Sequence, residues 1–133
     1  MGIGKKVCLV LVSLCIVVGI FFGVNYLLNY EKYENAIKKI SIRNVDLSKV
    51  SDGTYKGSYD AVMVAADVSA TVRNHKITDI KILRHKNERG QRAEVIPQRV
   101  LAAQSLKVDT VSGATNSSKV ILKAIENALE SKK

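Results

Sequence analysis

One segment of the chain alternates with a period of two residues: Val62-Met63-Val64-Ala65-Ala66-Asp67-Val68-Ser69-Ala70-Thr71-Val72-Arg73. This period is typical of a β-strand with one buried face, and the length of the segment predicts a bend near Ala65-Ala66. Asn74-His75-Lys76 predicts a tight turn, and residues 77–83 continue the apolar pattern after it. The two segments therefore predict an antiparallel hairpin.

Two segments nearer the C-terminus show helical spacing. Apolar side chains recur at helical intervals from Val120 to Leu129, which predicts an amphipathic helix. Residues 93–106 carry a second helical pattern that contains Pro97. Because an interior proline loses a backbone hydrogen bond and clashes with the preceding turn, we expect a break or a helix start there. Strands and helices together predict an α+β fold, a small antiparallel sheet with packed helices.

The beginning of the chain differs in composition from the rest. Residues 7–28 contain no charged side chain, and as a helix they would span roughly 33 Å, enough for the hydrocarbon core of a bilayer. No small-residue cleavage site follows, so we predict an uncleaved transmembrane signal anchor over residues 1–30. Lys5 and Lys6 precede the apolar run and favour a cytoplasmic N-terminus, which would make the rest of the chain extracytoplasmic.

Residues after the predicted anchor connect it to the folded part. Tyr26, Tyr30 and Tyr33 are expected to form an aromatic belt at the far membrane interface. Residues 30–42 combine helical spacing with charges and predict a short amphipathic helix or helical stalk. We therefore divide the chain into an anchor (1–30), a stalk and linker (31–50) and one domain (51–133).

Cysteine positions and charge limit the chemistry of that domain. Cys8 and Cys15 both lie in the predicted anchor, so the domain has no thiolate for a disulfide, an iron–sulfur cluster or a metal site. The whole chain has a net charge of +9, which invites a nucleic-acid interpretation. In the domain, however, Lys and Arg are interspersed with Asp and Glu, and we predict no nucleic-acid partner. A basic cluster in residues 84–92 is interpreted as a solvated loop or as an attractor of anions.

A second loop, Asp109-Thr110-Val111-Ser112-Gly113-Ala114-Thr115, precedes the predicted last helix. By residue type it could be an ordinary turn, because Gly113 tolerates positive φ and Ser112 and Thr115 are common in turns and at helix N-caps. It could also present a hydroxyl nucleophile, since Gly113 and Ala114 leave space for a donor to approach. Residue types alone leave both interpretations open.

As an ordered string, Asp-x-x-Ser-Gly-Ala-Thr resembles the flavinylation motif of the FMN-binding domain family of membrane redox complexes. The resemblance extends from about Asp52 to Leu129, and it includes Asp52-Gly53-Thr54-Tyr55-Lys56-Gly57 and Ile77-Thr78-Asp79-Ile80-Lys81-Ile82. It departs at Asn116-Ser117-Ser118, where a bulkier apolar residue followed by Thr-Ser is more usual. We expect this departure to alter the packing under a flavin.

The resemblance implies a role for each motif residue. FMN would be esterified through its phosphate to the hydroxyl of Thr115 by a separate flavin transferase. Ser112, Gly113 and Ala114 would complete the binding motif, and Asp109 would contribute to recognition by the transferase. His85 and Glu88 fall where the family carries a His and a Glu before a Gly, so we predict that they lie near the flavin ring.

The function implied is that of a single-pass, extracytoplasmic flavoprotein of the cell membrane that carries electrons on covalent FMN. Its expected partners are the flavin transferase and a membrane quinone-linked dehydrogenase or redox-complex subunits. We find no Ser-His-Asp arrangement, Walker loop or His-rich metal spacing, so a carrier is favoured over a self-sufficient enzyme and no catalytic residue is predicted. The alternative is a membrane-tethered binding or scaffold module of the same fold without flavin.

Overall fold

The computed structural model describes residues 2–131, and the structure in this range is α+β, as predicted. Met1, Lys132 and Lys133, at the ends of the predicted anchor and domain, lie outside the described residues. The elements in chain order are α1 (Ile3–Lys38), β1 (Gly53–Asp60), β2 (Ala65–Arg73), β3 (Lys76–Lys86), α2 (Ile96–Ala103) and α3 (Thr115–Glu130). Short 3-10 turns at Leu47–Lys49 and Gln91–Val95 precede β1 and α2.

The three strands form an antiparallel sheet in the order β1-β2-β3. The predicted hairpin is present as β2 and β3, and its turn residues Asn74 and His75 have φ values of 51° and 61°. Positive φ at both central residues gives a turn whose twist matches that of the paired strands. In the central strand, Val68, Ala70 and Val72 are fully buried, which explains the period of two in the sequence.

The start of the central strand differs from the prediction. Instead of bending at Ala65-Ala66, β2 begins at Ala65, and residues 61–64 form a turn closed by a hydrogen bond from Ala61 N to Val64 O. Val62 has a φ of 71°, and its N–H donates to the Asp60 carboxylate at 2.8 Å. The side-chain acceptor therefore stabilises a turn inside a segment whose apolar pattern continues without interruption.

Helix α3 covers β1 and β2, and its buried face contains Ile121, Ile125 and Leu129. Helix α2 packs on β3 and is shorter than the predicted segment, because Pro97 lies in its first turn and Gln104 ends it in a left-handed conformation. The Gln104 amide then pairs with both backbone groups of Ile77 at 2.8 Å. The prediction that Pro97 marks a helix start is confirmed.

Helix α1 is continuous through most of the predicted stalk, and it ends at Lys38 instead of Ile42. By length and composition it is the one helix in residues 2–131 that could cross a membrane. Its last turns contact the domain: Ile37 is buried in the core, and Tyr59 Oη donates to Ala36 O at 3.2 Å. The linker contributes buried Val45 and Val50 to the same core, so the boundary at residue 50 stays a prediction.

A buried carboxylate also ties the linker to α3. Glu126 is fully buried, and its Oε2 accepts hydrogen bonds from Lys123 Nζ at 3.1 Å and from Arg43 N at 3.3 Å. Lys123 in turn donates to Ser41 O at 3.2 Å. Because these bonds join residues distant in sequence, they hold the chain that follows α1 against the domain.

Candidate functional site

The loop before α3 is organised by a serine that was not predicted to matter. Ser118 is fully buried; its Oγ accepts from Val111 N at 3.0 Å and donates to Ala114 O at 2.8 Å. Ala114 occupies the N-cap position of α3 and makes no side-chain cap hydrogen bond, so the interpretation of Ser112 or Thr115 as the N-cap was wrong. Ser112 lies in the turn before the helix, as the other interpretation predicted. The Thr115 side chain is consequently not engaged as the cap and is exposed at the first position of the helix.

The exposed Thr115 borders a cleft of about 410 Å³. Gly113, Ala114 and Thr115 form one wall, and the loop after β3, from Glu88 to Gly90, forms another. Met63 and Val64, from the turn before β2, also line it. The volume lies within the range of roughly 300–1,000 Å³ that is usual for small-molecule sites.

Two tyrosines of α1 complete the cleft. Tyr30 and Tyr33 both line it, and Tyr33 Oη accepts a hydrogen bond from Asn116 Nδ2 at 2.7 Å. In the sequence, these residues indicate an aromatic belt and by residue type give no sign of a ligand site. Their spacing of three residues, which places both on one helix face near the end of α1, was the available signal.

The predicted site residues are divided between this cleft and other places. Glu88 lines the cleft together with Gly113, Ala114 and Thr115. Ser112 is exposed and is not part of the cleft wall. Asp109 is exposed beside a separate shallow cavity, where its backbone carbonyl accepts from Arg99 Nη1 at 2.9 Å. A carboxylate in that position is available to an approaching protein and does not contact the cleft.

His85 lies behind the cleft wall. It belongs to β3 instead of the predicted polar loop, and its side chain is only 2% exposed. Its Nδ1 lies 3.0 Å from Glu94 Oε1, and its Nε2 lies 3.2 Å from Ser117 Oγ. Ser117 lines the cleft, so His85 is connected to the site through this hydroxyl. Gly90 packs so closely that an added Cβ would overlap Ser117 Oγ.

A Ser117→Ala substitution is expected to lower the free energy of unfolding by about 1–3 kcal/mol, because it leaves His85 Nε2 without its hydroxyl partner in a nearly dry position. Urea unfolding of the full chain in detergent measures the change. The matched control is Ser112→Ala, an exposed serine in the neighbouring loop, for which we expect a change within about 0.5 kcal/mol. Equal stability of the two variants would contradict the role assigned to Ser117.

The basic cluster of residues 84–92 does not act as one patch. Arg84 Nε donates to the Asp67 carboxylate at 2.9 Å, and this hydrogen bond raises the pKa of the guanidinium above its ordinary value. Lys86 Nζ donates to Val62 O at 2.8 Å. Arg89 is the member of the cluster that lines the cleft, so one cationic side chain faces the space beside Thr115.

Comparison with known proteins identifies the family of the chain. Residues 63–130, just over half of the chain, match the family model described as the FMN-binding domain. The chain therefore belongs to the FMN-binding domain family, as the motif predicted. It is also 38% identical over 66 residues to NADH:acrylate oxidoreductase of Vibrio harveyi, over a stretch that covers 47% of this chain and 7% of that protein.

The described residues of the cleft fit FMN. An aliphatic hydroxyl stands at its edge, the first amides of α3 lie beside that hydroxyl, and Arg89 offers a positive charge for a phosphate. Aromatic and apolar side chains, among them Tyr30, Tyr33 and Met63, line the remaining space and suit a planar ring. Within residues 2–131, no group of three or more His, Cys, Asp or Glu side chains is arranged to hold a metal ion.

Proposed function

We propose that this protein is a membrane-anchored, extracytoplasmic electron carrier in which FMN is joined through its phosphate to Thr115 Oγ1. The observation that carries the proposal is the exposed hydroxyl of Thr115 at the edge of a cleft of suitable size. That cleft lies in a chain of the FMN-binding domain family. An exposed attachment residue is required because a separate enzyme has to reach it.

Attachment transfers the phosphoryl group of FMN, together with the flavin that it carries, to a hydroxyl. Thr115 Oγ1 forms the new bond to the flavin-bearing phosphorus of an activated flavin phosphate donor. The anhydride bond from that phosphorus to the donor's second phosphate breaks, and the second phosphate leaves with the rest of the donor. The hydroxyl proton goes to a base of the flavin transferase, and nothing is oxidised or reduced. Asp109 is exposed six positions before Thr115 and is a suitable contact for that enzyme.

Residues around Thr115 would hold the resulting phosphodiester. As α3 begins at Thr115, its first backbone N–H groups and the positive end of the helix dipole favour a negative charge there. Arg89 from the opposite wall adds a charged donor. The role of Ser117, held by His85, is to keep the wall beside the ring in one arrangement.

When bound, FMN supplies one-electron and two-electron transfer, and the protein's task is to position the ring and tune its potential. The name of the Vibrio harveyi relative, NADH:acrylate oxidoreductase, describes transfer of reducing equivalents from NADH to acrylate in that protein. This chain corresponds to a small part of that relative, which supports a carrier domain that serves other subunits. The proposed partners are a flavin transferase and a membrane quinone-linked dehydrogenase or redox-complex subunits.

The membrane part of the proposal depends on α1, whose apolar stretch is long enough to span a bilayer. Lys5 and Lys6 before that stretch favour a cytoplasmic N-terminus. The domain would then be on the outer side, where covalent attachment prevents loss of the cofactor by dilution.

Expression of the full chain with and without a flavin transferase tests the proposal. With the transferase, we expect the membrane fraction to contain a protein that fluoresces on a denaturing gel and gains the mass of one FMN phosphoester. Without it, the band should be dark. A chain that stays colourless in both cases would contradict the carrier and favour the scaffold alternative.

A further inference from the structure

We propose that Tyr30 and Tyr33 of α1 form the wall on which the flavin ring lies, so that the helix that contains the predicted membrane anchor is itself part of the FMN site and holds the ring at the membrane surface. This inference rests on the proposed function and adds residues that lie outside the part of the chain matched by the family model, 63–130. It also gives the cofactor a defined depth relative to the bilayer.

The first observation behind this inference is a direct contact between α1 and the start of α3. Tyr33 Oη accepts a 2.7 Å hydrogen bond from Asn116 Nδ2, and Asn116 directly follows Thr115. Tyr30 and Tyr33 have ring centroids 6.0 Å apart with their planes tilted by 55°, and both rings line the cleft that Thr115 borders. A group attached to Thr115 Oγ1 therefore has two phenol rings within the same cleft.

The position of these tyrosines is set by packing on the domain. One turn after Tyr33, Ile37 is 8% exposed in the core, and Ala36 O accepts from Tyr59 Oη. Beyond the helix, the buried Glu126 holds the Arg43 backbone. Because the end of α1 is attached at several points, the helix backbone that carries the two rings is held against the domain.

The chemistry of the wall suits a flavin. Among the described residues that line the cleft, Tyr30 and Tyr33 are the aromatic ones. Planar heteroaromatic rings stack on such side chains, and each stacked ring contributes to affinity without requiring a particular pattern of hydrogen bonds. The other lining residues have no aromatic ring, so they cannot replace these faces.

The depth follows from helix geometry. The uncharged stretch ends at Leu28, so at 1.5 Å per residue Tyr30 lies about 3 Å and Tyr33 about 8 Å farther along the helix axis. The interfacial layer on each side of the hydrocarbon core is about 5–8 Å thick. The ring would thus lie at the level of the lipid headgroups, where membrane-bound redox partners can reach it.

Tyrosine substitutions in the full chain test the contact. Phenol rings in contact with an excited flavin quench its emission by electron transfer, so the double variant Tyr30→Ala/Tyr33→Ala should fluoresce severalfold more per flavin. The matched control is Tyr26→Ala, which removes an exposed tyrosine of the same helix that does not line the cleft. Tyr33→Phe keeps an aromatic face for stacking but loses the electron-donating phenol, so its emission should rise partway toward that of the double variant.

A second measurement separates this inference from attachment. Free FMN is titrated into full-length Thr115→Val protein with and without the two tyrosine changes, and we expect its affinity to fall by about tenfold or more without the rings. Urea unfolding checks that each variant is folded. Unchanged emission and affinity in a folded double variant would overturn the role of the tyrosines, even if covalent attachment succeeds. A wild-type chain without covalent flavin would contradict the proposed function, and the titration would still decide the tyrosine contact.

Lipid quenchers test the depth. The flavin-loaded full chain is placed in nanodiscs that contain lipids spin-labelled either at the headgroup or near the end of the acyl chain. We expect the headgroup label to quench the flavin several times more strongly. Absence of quenching by the headgroup label, or stronger quenching by the deep label, would overturn the placement at the membrane surface.

Discussion

A Thr115→Val chain co-expressed with a flavin transferase is expected to carry no covalent flavin, whereas the wild-type chain carries one FMN. Valine has the shape of threonine with a methyl group in place of the hydroxyl, so it removes the nucleophile and little else. The Thr115 side chain is exposed and is not at the N-cap position of α3, which Ala114 occupies. We therefore expect the free energy of unfolding to change by no more than about 0.5 kcal/mol. Intact mass and in-gel fluorescence measure the loading.

Two further variants test whether the loading depends on the hydroxyl of Thr115 in particular. Thr110→Val makes the same chemical change in the same loop, and it should retain wild-type loading. Thr115→Ser keeps a hydroxyl at the attachment position, so it should still accept FMN. Covalent flavin on the Thr115→Val protein would show that another residue is the attachment point, and the proposed linkage would then be wrong.

A Gly57→Ala substitution is expected to destabilise the domain strongly, although it adds only one methyl group. Gly57 lies in β1 where α3 crosses the sheet, and an added Cβ would overlap the Ala124 carbonyl oxygen and the Ala128 amide nitrogen and lie 2.7 Å from Ala128 Cα. These are backbone atoms, so the clash can be relieved only if α3 moves away from the sheet. We expect a loss of about 3 kcal/mol or more, a large part of the 5–15 kcal/mol that is typical of a domain.

Urea unfolding of the full chain in detergent, monitored by tyrosine fluorescence, measures this loss of stability. Ser58→Ala changes the next residue of β1, which is exposed, and should alter stability by no more than about 0.5 kcal/mol. Gly113→Ala is a second control: its Cβ would meet nothing within 4 Å, but a φ of 80° disfavours alanine by about 1 kcal/mol. If Gly57→Ala were as stable as Ser58→Ala, the close approach of α3 to β1 would be wrong.

Periodicity predicted the parts of the fold in which one repeating pattern runs through a whole element. The alternation in residues 65–73 identified β2, and the apolar stripe from Val120 to Leu129 identified most of α3. Local patterns were less informative where individual side-chain hydrogen bonds decide the structure. Asp60 stabilises the turn before β2, and the pairing of Gln104 with Ile77 accompanies the early end of α2.

The candidate site shows the same division. The order of residues from Asp109 to Thr115 was sufficient to predict the family, because a motif is a local property of the chain. The hydroxyl of Ser117 and the position of His85 could not be interpreted from that order. Their contact joins β3 to α3 across residues that are far apart in sequence.

By itself, the sequence determined the α+β class, the long apolar helix and membership in the FMN-binding domain family. Each of these is encoded in consecutive residues through periodicity, hydrophobicity or an ordered motif. Only the tertiary structure brought Tyr30 and Tyr33 to the cleft beside Thr115 and placed Asp109 outside it. The physical reason is that those positions depend on how α1 and α3 pack, through Ile37, Asn116 and the buried Glu126.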